Sequence, residues 1–294
     1  MPGTITVGLD GTEHSLAAAD WAADEASVRG ATLRLVYAWQ PPSPLDLPVA
    51  VDPVAVEAQA HEVLHQAEAR VRARRPEPAV TGELLPTEPV PALLAESEGA
   101  DMLVLGSRGH GPLVGFLLGS VSLQVVRQAN GPVVVVRDTA APEAQGAEER
   151  ASEVVVGVQD AGEDAAPVLE FAFAAAAARG APLRAVRAWS LPTPLDLVPS
   201  ALRPMDEAGG PEAFNRSLLE DALRTWRERY PEVPVATHVE IGGASEVLLS
   251  QSGRAALVVV GRRTQWPAAL RGIGSVTHAA LHHARCPVAV VPHR

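Results

Sequence analysis

The chain has 294 residues, room for about two domains of ordinary size. Its 47% hydrophobic and 20% charged residues fit a folded globular protein, and its formal net charge of −11 opposes general binding to nucleic acid or anionic membrane surfaces. All 24 basic residues are arginine, which excludes a Walker A loop, Schiff-base chemistry and a Ser–Lys dyad, because each needs a lysine amine.

The opening Met1-Pro2-Gly3-Thr4 has neither a basic n-region nor a long apolar core, so no signal peptide is expected. Thr4 to Leu9 is a short apolar run suited to a buried strand. From Ser15 to Val28, Leu16, Ala19, Ala23 and Ala26 fall at helical spacing, and Gly30 ends the helix. Leu33 to Trp39 is a second strand. A Pro-rich loop leads to a helix over Pro53–Arg74, a strand over Ala79–Leu85 and a short helix over Val90–Glu98. Met102 to Leu105 is almost wholly aliphatic, as a strand buried on both faces should be. A helix over Ser120–Gln128 and a strand over Pro132–Val136 complete the first half.

The second half repeats the first. Gly30-Ala31, Trp39 and Pro44-Leu45-Asp46-Leu47 recur as Gly180-Ala181, Trp189 and Pro194-Leu195-Asp196-Leu197, all offset by 150. Gly106, Gly119-Ser120 and Pro132-Val133 recur as Gly261, Gly274-Ser275 and Pro287-Val288, offset by 155. So long a period means tandem domains, not a solenoid. The clearest strands of the second half are Val154–Val158, Ala256–Val260 and Pro287–Val291. The order implies two tandem doubly wound α/β domains, at 1–138 and 153–294, each a five-stranded parallel sheet with helices on both faces. The stretch 139–152 has no apolar period and is rich in Ala, Glu, Pro and Gly, as an exposed linker would be.

Open parallel sheets bind ligands outside the carboxyl ends of their strands. After the fourth strand comes Gly106-Ser107-Arg108-Gly109, then nine residues, then Gly119-Ser120-Val121-Ser122 opening a helix. Glycines let backbone N–H groups approach an anion, and a helix start adds unsatisfied N–H groups and partial positive charge. The Ser120 and Ser122 hydroxyls can donate to phosphate oxygens, and Arg108 adds charge. The bland alternative makes Gly106 and Gly109 turn glycines, Ser120 a helix cap and Asp10 an Asx-turn residue.

These residues resemble the universal stress protein family in its ATP-binding branch. Gly106, Gly109, Gly119 and Ser120 fill its Gly-x2-Gly-x9-Gly-[Ser/Thr] pattern, and the likeness takes in Val7-Gly8-Leu9-Asp10, the strand before Trp39 and Pro132-Val133. It spans both halves. The resemblance implies an adenine nucleotide alpha hydrolase-like fold. It also implies an adenine nucleotide ligand, ATP with magnesium. Asp10 would hydrogen-bond adenine or ribose, the backbone around Ala38 would read the adenine edge, and Gly106 would lie at the ribose. Gly109, Gly119, Ser120 and the Val121 and Ser122 amides would hold the phosphates. The final strands of the two halves would pair as a pseudo-dimer, with further homodimerisation open. The downstream partner is not readable.

The second half departs from the pattern. Its loop is Gly261-Arg262-Arg263-Thr264, then nine residues, then Gly274-Ser275, and Gln159 stands where the first half has Asp10. A left-handed backbone at Thr264 would cost a β-branched residue roughly 1–2 kcal/mol. A weaker second site is expected from Gln159, Gly261, Thr264, Gly274 and Ser275, with Arg262 and Arg263 as compensation.

Other motifs are set aside. His61-Glu62-Val63-Leu64-His65 matches H-E-x-x-H without a third ligand at metzincin spacing, so a solvated helix face is preferred to a zinc site. His278 and His282 lie one turn apart and could bind a metal adventitiously, but with His283 they are read as surface histidines. The single cysteine, Cys286, forms no intrachain disulfide and reads as packed. No G-x-G-x-x-G follows the first strand, and no G-x-S-x-G is present. The expectation is a cytoplasmic, ATP-binding stress or regulatory module with little or no turnover. A slow ATPase or phosphotransferase and a non-binding interaction scaffold are the alternatives. Limited proteolysis should cut first between Asp138 and Ser152 and leave two compact halves. A first cut within Met102–Leu105 would contradict this domain map.

Overall fold

The structure is a computed structural model. It describes residues 3–39, 53–107, 118–137, 153–159, 163–190, 204–264 and 272–294. The expected linker, Arg108, Gly109 and both Pro-Leu-Asp-Leu loops lie outside these. The chain divides into two compact units, Met1–Ala140 and Ala141–Arg294.

The first unit runs β1 (Thr4–Leu9), α1 (Glu13–Arg29), β2 (Thr32–Ala38), α2 (Pro53–Arg74), β3 (Val80–Leu85), α3 (Pro89–Gly99), β4 (Met102–Gly106), α4 (Ser120–Gln128) and β5 (Val133–Val136). Its strands are ordered β3-β2-β1-β4-β5, and every pair is parallel. The chain therefore winds outward from β1 in both directions. Right-handed crossovers then place α1 and α2, which touch, on one face, and α3 and α4, which also touch, on the other. The reversal of winding opens a crevice between the carboxyl ends of β1 and β4.

The elements follow from their residues. Met102, Leu103, Val104 and Leu105 of β4 are all buried, as are Val133 to Val136 of β5. Thr12 caps α1 by accepting from the Ser15 N–H, and Gly30 ends it in the left-handed conformation at φ 61°. Ala18, Ala19, Ala22, Ala23 and Ala26 form a fully buried small-residue face that lets the helix lie close to the sheet.

The second unit repeats the plan. It runs β6 (Glu153–Gly157), a 3-10 turn (Glu163–Ala165), α5 (Ala166–Arg179), β7 (Leu183–Trp189), α6 (Pro211–Arg229), β8 (Val235–Ile241), α7 (Ala244–Gln251), β9 (Ala255–Arg263), α8 (Ser275–His283) and β10 (Val288–His293). Its strands are ordered β8-β7-β6-β9-β10, again with parallel pairs. Val154 to Val156 and Leu257 to Val260 form its buried centre.

In the first unit, α1 and α2 are joined by ion pairs. Arg70 grips Asp20 through Nε and Nη2 at 2.9 and 2.7 Å, and Arg74 Nη2 and Arg75 Nε reach Asp24 at 2.7 and 2.8 Å. Burial alone would raise the Asp24 carboxyl, but the hydrogen bonds from Arg74 and Arg75 prevail and hold it below the ordinary Asp value. A lowered native pKa means stability that is present above the unfolded value and lost as pH falls through the native one. Solvent screening keeps such a half-exposed contribution small. Asp24→Asn should lower the unfolding free energy at neutral pH by roughly 0.5–1 kcal/mol. The gap should close on the acid side of the ordinary Asp pKa, about 3.9. Urea titrations across pH that show a constant gap would contradict the assignment.

Candidate functional site

In the first unit, the carboxyl ends of β1, β2 and β4 open on a cavity of about 230 Å³. Strand register builds it. Leu9 is level with Tyr37 and Gly8 with Leu105, so Asp10 follows level with Ala38, and Gly106 follows level with Leu9, one residue short of them. Asp10, Ala38, Gly106, Gly119, Ser120, Val121 and Ser122 all line the cavity.

The individual roles are more exact than the spacing implied. Asp10 Oδ1 accepts from the Thr12 N–H at 3.0 Å and from the Thr12 hydroxyl at 2.6 Å. Asp10 is thus an Asx-turn residue that sets the entry to α1 and a cavity residue at once. Gly106 has a packing reason to be glycine: a Cβ there would lie 2.4 Å from the His14 carbonyl oxygen and 2.9 Å from the Ser15 nitrogen. The Ser122 hydroxyl, expected as a phosphate donor, is otherwise engaged in this structure. It is buried and donates to the Gly106 carbonyl at 3.1 Å, so its one proton is spent on fastening α4 to the end of β4.

Ser120 is exposed at the cavity. Gly119 is the N-cap of α4, so the cap residue offers no side chain to the first-turn amides. Thr12, His14, Tyr37, Pro89 and Leu93 also line the cavity and were missed by sequence reasoning. Pro89 and Leu93, one turn apart at the start of α3, gave a helical-face signal; His14 gave none.

The second unit holds a cavity of about 590 Å³ in the corresponding place. Gln159, Gly261, Gly274 and Ser275 line it together with Arg263, His293 and a wall of Val158, Val168, Val186, Leu248 and Val260. Thr264 does not line it, and the expected strain there does not arise. Among the described residues, only glycines have positive φ. The reason is strand length: β9 continues beside β10 to the Arg263–His293 pair, and Thr264 extends it, its N–H and its hydroxyl each donating to the His293 carbonyl at 2.8 Å. Extended backbone suits a β-branched residue. Of the two arginines offered as compensation, Arg263 lines the cavity, whereas Arg262 is buried and does not.

The helix fastening recurs, with the Thr277 hydroxyl donating to the Gly261 carbonyl at 3.0 Å. The Gln159 backbone carbonyl accepts from Arg187 Nη1 at 2.6 Å, and Arg187 Nε donates to Asn215 Oδ1 at 3.0 Å. His61, Glu62 and His65 are exposed on α2, with Glu62 accepting from Gln66 at 2.7 Å. Cys286 is buried. Among the described residues, no three His, Cys, Asp or Glu side chains converge as a metal site, and no helix is long and apolar enough to cross a membrane.

Two tandem doubly wound units, each with a cavity outside the carboxyl ends of its central strands, define a two-domain α/β protein with a crevice at each sheet's switch point. The model of the universal stress protein family matches residues 1–137 and 152–292. The universal stress protein Rv2005c of Mycobacterium tuberculosis is 37% identical over 300 residues, covering 97% of this chain and 96% of that protein. Rv2623 of the same organism is 32% identical over 294 residues, covering 97% and 95%. The crystal structure of a universal stress protein from Archaeoglobus fulgidus covers 98% of both chains at 20% identity and a TM-score of 0.70, which speaks to the fold. The chain belongs to the universal stress protein family.

The backbone contact at Gly106 sets up a comparison between the units. Gly106→Ala should cost roughly 1–3 kcal/mol, the range for overpacking against atoms that cannot yield. Gly261→Ala should cost less, because a Cβ there would meet the His293 ring and a Val168 methyl instead of backbone. Chemical unfolding of the two variants checks this, and an unperturbed Gly106→Ala would contradict the packing argument.

Proposed function

We propose that the first unit binds an adenine nucleotide, ATP with magnesium, and that the chain acts as a nucleotide-responsive stress or regulatory module with little or no turnover. One observation carries the reading: Asp10, Ala38, Gly106 and the α4 start at Gly119–Ser122 converge on one cavity. The donor set fits a nucleotide. First-turn amides without a side-chain cap, together with the helix dipole, suit phosphate oxygens, and the exposed Ser120 hydroxyl adds a donor. Leu9, Leu93 and Leu105 give the wall an apolar part suited to a base, and Asp10 offers a carboxylate beside it. Magnesium would sit on the phosphates, with water and the Ser120 hydroxyl completing its oxygen shell. Membership of the family supports the same reading.

The second unit is the weaker nucleotide site in this proposal. The cause is the neutral Gln159 in the place of Asp10, together with a wider, largely aliphatic cavity, and not Thr264. A slow ATPase is the second reading, and His14 in the cavity wall favours it. Phosphate release at the level of a protein-free control is expected; release that vanishes in His14→Asn would move the assignment there.

Titration calorimetry with ATP and magnesium tests the proposal. One tight site per chain and one weaker site are expected. Asp10→Ala should weaken the tight site by roughly tenfold or more, the loss of a charged hydrogen-bond partner worth about 1.5–3 kcal/mol. Gly109→Val should abolish it, and Thr264→Gly should leave the weaker site unchanged. Two equal sites, or a tight site indifferent to Asp10→Ala and Gly109→Val, would overturn the assignment. No binding at all would leave the interaction scaffold.

A further inference from the structure

The chain carries two histidine pairs at i, i+4 spacing on helices, His61/His65 on α2 and His278/His282 on α8. They differ in geometry. The His278 and His282 rings are in contact, with centroids 4.3 Å apart and planes inclined by 32°. No such ring contact joins His61 to His65, which stand exposed on α2. On α8, His278 is exposed and His282 half-buried, while Thr277, Ala280 and Leu281 face inward. The contacting rings therefore share the outer side of the helix.

We propose that His278 and His282 form a two-imidazole clip for a divalent transition-metal ion. Histidines at i, i+4 on one helix face reach a common metal, the geometry that H-E-x-x-H sites use. Metal–imidazole bonds of about 2.0–2.1 Å put the two nitrogens about 3 Å apart. Rings already 4.3 Å apart at their centroids reach that by turning about χ2, a broad and soft torsion. Water reaches the exposed side of α8, where His278 stands, and completes the coordination.

Ligand chemistry sets the metal class. Imidazole nitrogen selects copper, nickel and zinc, with copper the tightest, and leaves magnesium and calcium to oxygen donors. The clip is therefore chemically separate from any magnesium that accompanies a nucleotide. An ion held across one turn also staples α8, whose first residues Ser275, Val276 and Thr277 line the second cavity.

The test is titration of the purified full-length chain with copper(II), nickel(II) and zinc(II) salts alone, in the presence of excess magnesium. One saturable ion per chain is expected, in the affinity order copper, then nickel and zinc. The site should persist in the His61→Gln/His65→Gln double variant. It should weaken in His278→Gln and in His282→Gln by at least the roughly 10–100-fold that loss of a ligand's supporting partner costs. Circular dichroism of both variants establishes that they are folded, and bound ion should raise the melting temperature of the wild type but not of His278→Gln. No saturable ion, or one that survives in folded His278→Gln, would overturn the clip. A site lost with His61→Gln/His65→Gln would place the metal on α2 and overturn it equally.

Discussion

The first turn of α1 presses so closely on the end of β4 that no side chain fits between them. A Cβ on Gly106 would come within 2.6 Å of two backbone atoms of His14. That contact sets the height of Thr12 and Asp10, because the α1 cap and the Asx turn before it are rigid extensions of the helix. It also leaves the Gly106 carbonyl directed where Ser122 can donate to it. Three segments far apart in sequence, near positions 10, 106 and 120, are thereby fixed around one strand end. The cavity is the space they enclose.

The second unit shows what happens when this contact is relaxed. The chain there forms a 3-10 turn at Glu163–Ala165 and starts α5 only at Ala166. Among the described residues, the nearest neighbours of Gly261 in the Cβ direction are the His293 ring and a Val168 methyl, and not backbone. The same strand order and the same hydroxyl-to-carbonyl fastening, now from Thr277, survive around a cavity of about 590 Å³ in place of about 230 Å³. Charge changes with volume. Asp10 and His14 line the first cavity, and Gln159, Arg263 and His293 line the second. The repeat conserves architecture and divides chemistry.

Much of this was legible in the sequence because the cause was local. Runs such as Met102–Leu105 are aliphatic because both faces are covered, and Gly30 closes α1 because only glycine enters the left-handed region cheaply. The repeat then carried each element to the second half. What escaped was set by tertiary distance. The spacing of Gly106 and Gly119 marked the cavity, but not that Ser122 spends its proton on a carbonyl sixteen positions earlier. Thr264 looked strained in a glycine-loop pattern, yet the β9–β10 pairing carries it as extended chain. His14, Pro89 and Leu93 reach the cavity only through helix packing.

The central claim is that the first cavity is the nucleotide site. Mass spectrometry of small molecules released by denaturing the purified full-length chain tests it most directly, with the wild type and Asp10→Ala prepared side by side. An adenine nucleotide released at close to one per chain from the wild type, and strongly depleted from the variant, is the predicted result. No nucleotide from the wild type, or equal amounts from both proteins, would contradict it.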